Sequence, residues 1–348
     1  MICLENKKLH LEIMRIIAIF FVLFNHTGIK GFFLFSEYNP ESLRYWIYLF
    51  FSVFCKLSVP LFFAISGALL LSKNESVKII FQKRIFKILI VLFVFSFFNY
   101  LQQIYFGNEV FSLKRFLLVL YTKHWNYSYW YLYSYIAFFL SLPFLRALVK
   151  ELETKFFIYM IFLVGIFNGV LPILDFLFWN GGNTFNNYLK VSWLTSTIVF
   201  CPCVGYFLEN RMPIVELKNL VHLWGINIIT ILISCFMTCY HTKITGLCTE
   251  STSQVFHNSF VVINLITVYC TIKYMTYSVR FDEKINKILM SLGSNTFGVY
   301  LWHIMLMRSS FMWKFFDYMR SSFCIDKMAI AFIYLLFNSA IDMQFCYI

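Results

Sequence analysis

Long apolar runs, broken by short polar stretches, recur along the whole chain. Ten can be drawn, at roughly Leu9–Gly28, Tyr45–Leu71, Phe86–Phe106, Tyr129–Leu148, Phe156–Phe178, Trp193–Leu208, Leu220–Tyr240, Phe260–Val279, Thr296–Trp313 and Met328–Ala340. Most approach the roughly 20 residues that a helix needs to cross a bilayer. The pattern predicts an all-α membrane protein, a polytopic bundle of about ten transmembrane helices. The second run is long enough to tilt or to include an interfacial turn near Pro60. The tenth is short and interrupted by Asn338, Ser339 and Asp342, which leaves open whether it inserts and whether the C-terminus is truncated.

Polar residues inside the first run stand out. An arginine and a histidine are costly in a spanning helix, so Arg15 and His26 are read as a functional site. Eleven residues at about 100° each bring them to one helix face, roughly 16 Å apart along it. They cannot touch, but they can mark two depths of one polar path. Glu12 is three residues before Arg15 and can pair with it, either in the site or as an anchor at the helix end.

Composition agrees with the pattern. Of 348 residues, 60% are hydrophobic and 13% charged, about half the charged share of a soluble domain. The mean hydropathy is +0.71. The abundant phenylalanine (44 residues) fits an A/T-rich genome. A net charge of +12 would suit a nucleic-acid binder, but the basic residues cluster at the ends of runs and form no stripe on a soluble domain. They fall after the second run (Lys73, Lys78, Lys83, Arg84, Lys87), the fourth (Arg146, Lys150, Lys155), the sixth (Arg211, Lys218) and the eighth (Arg280, Lys284, Lys287), with Lys7 and Lys8 before the first. With ten spans, all lie on one side. That places both termini in the cytoplasm, although Lys114, Arg115 and Lys123 blur the contrast. No linker, low-complexity stretch or repeat divides the chain, so residues 1–348 are expected to form a single membrane domain.

The ten cysteines fall mostly in apolar runs and suit packing. Cys201 and Cys203 form a C-P-C without CxxC spacing, and no Cys/His set has zinc spacing, so no metal is expected. Glu12, Arg15 and the length of the first run favour a retained span over a cleaved signal peptide. The sequence has no phosphate-binding P-loop, no GxSxG elbow, no HExxH and no HxxxxD.

Further candidates lie along the chain. A neutral His26 within reach of a hydroxyl suits a general base, and a structural hydrogen bond is the plain alternative. Lys83, Arg84 and Lys87 open the third run. They suit the phosphates of an anionic cytosolic ligand such as coenzyme A, or simply lipid phosphates. Trp130, Tyr131 and Tyr135 open the fourth run as an interfacial aromatic belt or a platform for a sugar ring. In the ninth, Asn295 is placed to cap a helix, and Tyr300 and His303 share a face, His303 being a second intramembrane histidine. Gly165 and Gly169 form a GxxxG in the fifth.

These residues resemble the acyltransferase 3 family of integral-membrane O-acyltransferases of surface polysaccharides. The similarity is carried, in family order, by Glu12-x-x-Arg15-x-Ile17-Ala18 leading to His26, by Val59-Pro60-Leu61-Phe62-Phe63-Ala64-Ile65-Ser66-Gly67, by Lys83-Arg84-x-x-Lys87, by Trp130-Tyr131-Leu132 through Pro143, and by Tyr300-Leu301-Trp302-His303. The resemblance implies about ten spans in a bacterial cell membrane. It also implies an acyl-CoA co-substrate, usually acetyl-CoA, with no permanently bound cofactor, and a glycan acceptor. It makes His26 essential and assigns Arg15, with Glu12, and the basic cluster to catalysis or donor binding. Ser66, Trp130, Tyr131, Tyr135, Tyr300 and His303 are expected to line the cavity.

Lys87 stands where the family often has a second arginine, and Glu12 where many members have aspartate. Many members also carry an extracytoplasmic hydrolase-like domain. Here the acyl group is expected to pass directly to the acceptor or through a separate partner. Two other readings remain open from the residues: a glycan or lipid-linked glycan flippase without acyl transfer, and the same family with succinyl as the acyl group.

Overall fold

The computed structural model describes residues 2–179, 185–189, 191–246, 256–307, 310–322 and 326–346. Among these residues every regular element is helical. In chain order they are α1 (Ile2–Asn25), α2 (Leu43–Cys55), α3 (Ser58–Leu70), α4 (Val77–Ile79), α5 (Phe86–Tyr105), α6 (Leu113–Thr122), α7 (Trp130–Glu151), α8 (Thr154–Val164), α9 (Leu171–Trp179), α10 (Ser192–Thr195), α11 (Thr197–Asn210), α12 (Leu217–Thr245), α13 (Val261–Ser278), α14 (Glu283–Met307), α15 (Ser310–Ser322) and α16 (Lys327–Cys346). Wider π-helical turns, Ile80–Ile85 and Gly165–Val170, join α4 to α5 and α8 to α9.

Each of the ten apolar runs contains helix. Among the described residues, five helical stretches are also long and apolar enough to cross a membrane: Leu43–Leu70, Val77–Tyr105, Tyr127–Glu151, Thr154–Trp179 and Leu217–Thr245. Their outer faces expose large apolar side chains, such as Phe86, Leu89, Ile90 and Phe93 on α5 and Val221, Ile229, Leu232 and Phe236 on α12. Such continuous apolar cover suits lipid tails, so this is a membrane protein.

Helix α1 is the hub and packs against α2, α3, α13, α14 and α16. Two crossings rely on glycine. A Cβ on Gly67 of α3 would lie 2.0 Å from the Pro202 carbonyl oxygen of α11, and one on Gly205 of α11 would lie 1.9 Å from that of Ala64. On α14, a Cβ on Gly293 would meet the Glu12 carboxylate of α1 at 2.3 Å. Small residues let helix backbones approach this closely where no hydrophobic effect drives association. Polar side chains tie the outer helices in. Asn227 of α12 donates to Asn264 of α13, which donates to the Phe54 carbonyl of α2. Ser234, Thr238 and Thr242 instead donate to carbonyls one turn back, which satisfies them without a neighbour.

The sequence reading is corrected at one helix start: Asn295 does not cap α14, which begins at Glu283 and holds Asn295 in its interior. The charged turns before the apolar run stay helical, and Ile285, Ile288, Leu289 and Leu292 carry the helical period through them. The ninth run is helical on both sides of residues 308 and 309, which lie outside the described set. The second run does turn near Pro60, as expected: it breaks at Lys56–Leu57, so Pro60 falls in the first turn of α3, where a missing N–H is tolerated. The six cysteines described as free (Cys55, Cys201, Cys203, Cys235, Cys239 and Cys270) are all buried, as packing residues should be.

Candidate active site

A cavity of about 990 Å³ opens between α1, α3, α5, α7 and α14. It joins the two polar depths marked on the first run. Arg15 and His26, about three turns apart on α1, both line it, as do Lys83, Arg84 and Lys87 of the basic cluster, Ser66, and the aromatic Trp130, Tyr131, Tyr135 and Tyr300. Glu12 and His303 do not line it. Both stand behind residues that do.

His26 is the first residue past α1, and its N–H still donates to the Leu23 carbonyl at 3.1 Å, which continues the helical sense. Its ring meets Tyr127 edge-on at 5.0 Å and lies 5.2 Å from the ring of His303. His303 is fully buried, and its Nδ1 is 2.6 Å from the Tyr300 carbonyl oxygen. A carbonyl only accepts, so Nδ1 carries the proton and Nε2 is left as an acceptor. That Nε2 is buried without a hydrogen-bond partner. The Tyr300 hydroxyl donates to the Ser128 carbonyl at 2.7 Å, which fixes α14 against the turn that carries Tyr127.

The middle of the cavity is aromatic. Tyr131 and Tyr135 stack at 5.5 Å, and Tyr300 meets Tyr131 edge-on at 5.4 Å. Ser66 donates to the Phe62 carbonyl, so the Tyr135 hydroxyl, 2.9 Å away, donates to Ser66. The Ser66-Gly67 pair thus divides its work: Ser66 meets the aromatic wall and Gly67 permits the crossing with α11.

At the basic end Arg15 donates to Glu12 at 2.6 Å, and the second Glu12 oxygen is buried beside Gly293 without a partner. Arg84 is engaged by a residue the sequence reading passed over. Glu75, in the loop after α3, receives both Nε and Nη2 of Arg84, at 3.0 and 2.5 Å. Arg146 of α7 adds a third bond to the same carboxylate at 2.9 Å and also donates to the Leu70 and Glu75 carbonyls. The bond from Arg84 holds the Glu75 carboxyl down at about 2; partial burial opposes the shift and Arg146 reinforces it.

Other groups escaped the sequence reading. Lys56, at the break between α2 and α3, lines the cavity. A lysine inside the second apolar run was a visible signal. Asn25, next to His26, donates to the Cys55 carbonyl and to Ser58 across that break. His10 of α1 is fully buried and pairs with Glu209 of α11 at 2.9 Å, where Tyr269 also donates. Nothing in the spacing of 199 residues announces that pair.

Residues 9–340 match the acyltransferase 3 family, described as an acyltransferase domain, and the chain belongs to that family. Membership makes the protein a membrane acyltransferase. No curated protein and no solved structure matches the chain.

Proposed function

We propose that the protein moves an acyl group, most simply acetyl, from cytosolic acyl-CoA to a hydroxyl of a bacterial envelope or capsular polysaccharide. The observation that carries this reading is the continuity of one cavity from the basic cluster, past Arg15, to His26. Lys83, Arg84 and Lys87 would take the phosphates of the donor, as cationic side chains do. The pantetheine arm would follow the aromatic wall. At the far end His26 would remove the proton of a sugar hydroxyl as its oxygen attacks the thioester carbonyl. Collapse of the adduct forms the ester and expels coenzyme A as a thiolate, which takes up the proton from the imidazolium. In this reading the chain is one domain of about ten spans with both termini cytoplasmic. Acyl-CoA is a co-substrate and no cofactor stays bound.

Label transfer tests it. Membranes with the wild-type chain or His26→Ala at matched levels receive acetyl-labelled acetyl-CoA and the host's polysaccharide. Alkali-labile label in the glycan, lost in the variant, is the expected result. Succinyl-CoA is run beside it to assign the acyl group. Glycan translocation without release of free coenzyme A would replace acyl transfer with the flippase reading.

A further inference from the structure

Asn168 is the one strongly polar side chain between Ile161 and Leu174, inside a helical stretch long and apolar enough to cross a membrane. Polarity within such a span is costly, so a function is the default explanation. The backbone is also special there. Pro172 has no N–H to give the Asn168 carbonyl four residues back, and its ring crowds that carbonyl. The helix widens instead to the π-helical turn Gly165–Val170, and the Leu171 N–H reaches back five residues to the Ile166 carbonyl. Single π-helical turns of this kind concentrate at functional sites. Asn168 and Pro172 both line the cavity. The Asn168 Nδ2 donates to the Thr195 carbonyl at 3.3 Å. A carbonyl only accepts, so the orientation of the amide is fixed and Oδ1 is left as an acceptor, which takes no hydrogen bond among the described residues.

Asn168 stands away from the basic cluster. Arg211, at the end of α11, donates to the Lys150 carbonyl on the last turn of α7. From that same end of α7, Arg146 reaches the Glu75 carboxylate that holds Arg84. Thr195 precedes the opposite end of α11, about 20 Å of helix away. On that side Gly169 leaves no room for a Cβ beside the Phe260 ring and the Ser259 carbonyl. The nearby His257 ring lies 5.7 Å from Phe32, in the loop that follows His26. The widened turn is thereby tied to the His26 side of the cavity. Thr197 and Asn258 add a hydroxyl and an amide to the lining and Trp130 a ring face, groups that suit a sugar.

We infer that Asn168 holds a hydroxyl of the acceptor glycan through its amide oxygen, so that the turn Gly165–Val170 is the wall that selects the acceptor sugar. This rests on the proposed acyl transfer only for calling the ligand an acceptor. The pantetheine N–H groups of the donor could satisfy the same oxygen, and the two sources are separated by titrating each alone. The acceptor probe is the host's envelope polysaccharide, freed of O-acyl groups by mild alkali and cut to oligosaccharides. The donor probe is coenzyme A. Purified full-length protein is titrated with each, with tryptophan fluorescence or calorimetry as the readout. Asn168→Leu, which keeps the bulk and removes the acceptor atom, should weaken the oligosaccharides about tenfold, the scale of one lost hydrogen bond, and leave coenzyme A affinity unchanged. Asn168→Asp, which keeps an oxygen in that place, should bind the oligosaccharides better than Asn168→Leu does. Under turnover Asn168→Leu should raise KM for the oligosaccharides about tenfold and leave KM for acetyl-CoA as it was. Asn168→Ala replaces the leucine variant if that one does not fold. Oligosaccharide affinity that survives in Asn168→Leu overturns the inference, as does a wild type that binds none. Equal losses for oligosaccharide and coenzyme A mark a residue that only holds the fold, and a loss for coenzyme A alone gives the oxygen to pantetheine; both overturn it. Label transfer on the same samples judges the acyltransferase reading separately. Oligosaccharide binding that depends on Asn168 without any transfer would leave the glycan site standing and sink acyl transfer.

Discussion

His26 and His303 lie with ring centroids 5.2 Å apart and planes tilted by 36°, and only His26 reaches the cavity. The Tyr300 carbonyl fixes the tautomer of His303 and leaves its Nε2 as a buried acceptor behind the proposed base. The ring contact packs His303 against the proposed base, and misplacing a reacting group by about 1 Å can cost on the order of 10²-fold. His303→Ala should therefore lower kcat about tenfold or more with little change in KM for acyl-CoA, while His26→Ala should cost the 10²–10⁴ of general-base catalysis. Initial rates normalised to folded protein separate the two. Equal KM and kcat losses in His303→Ala would mark a residue that only holds the fold.

The three basic residues proposed to bind the donor should not behave alike. Lys83 and Lys87 line the cavity, whereas Arg84 both lines it and grips Glu75. Lys87→Ala should raise KM for acyl-CoA by about tenfold, the scale of one charge-assisted contact, and leave the melting temperature nearly unchanged. Arg84→Ala should raise KM and also lower the melting temperature, since Glu75 loses its bidentate partner. Lys87→Arg tests whether a planar fork grips the phosphates better than a point charge.

Glu75 gives the fold an acid limit. Its carboxyl is held at about 2 in the folded protein against a usual 4.5, chiefly by Arg84. A lowered carboxylate contributes its full stabilisation above about 4.5, and that contribution drains away as the pH falls toward 2. Thermal unfolding of detergent-solubilised protein should show a falling melting temperature through that window. Glu75→Gln should melt lower at neutral pH and lose less between pH 4.5 and 2. Parallel curves for the two proteins would assign the acid limit to other carboxylates.

The sequence made the helices legible because lipid demands long apolar runs with internal hydrogen bonding. It made the path legible because Arg15 and His26 are conspicuous where polarity is costly. Partners brought together by folding were not legible. Glu75 and Arg146 sit in ordinary polar loops or at a helix end, and only packing puts both guanidiniums on one carboxylate. His10 and Glu209 meet across 199 residues for the same reason. The boundary at Glu283 was legible and passed over, because Ile285, Ile288, Leu289 and Leu292 already repeat at helical spacing among charged neighbours that kept the segment out of the apolar run. Lys56 differed from these: its signal lay in the open, inside the second run, and its relation to His26 emerged only once Asn25 was seen bracing the break.

Glycine spacing alone misjudges which glycines matter, and the packing makes a sharp prediction. Gly165 of the GxxxG has nothing within 4 Å of an added Cβ, whereas Gly169 would meet the Phe260 ring at 2.6 Å and the Ser259 carbonyl at 2.9 Å. Gly67 and Gly205 face backbone oxygens at 2.0 and 1.9 Å, and backbone cannot rotate aside. Gly67→Ala and Gly205→Ala must push α3 and α11 apart, which should cost at least the 1–3 kcal/mol of about one overpacked methyl. Because Ser66 and Gly67 are adjacent on α3, the shift should also move Ser66 off Tyr135 and reduce turnover in whatever protein still folds. Gly165→Ala should be neutral or stabilising by up to about 1 kcal/mol, since alanine favours helix where there is room. Melting temperatures of the three variants in one detergent decide the matter: an unaffected Gly67→Ala would mean that the α3–α11 crossing is looser than its geometry requires.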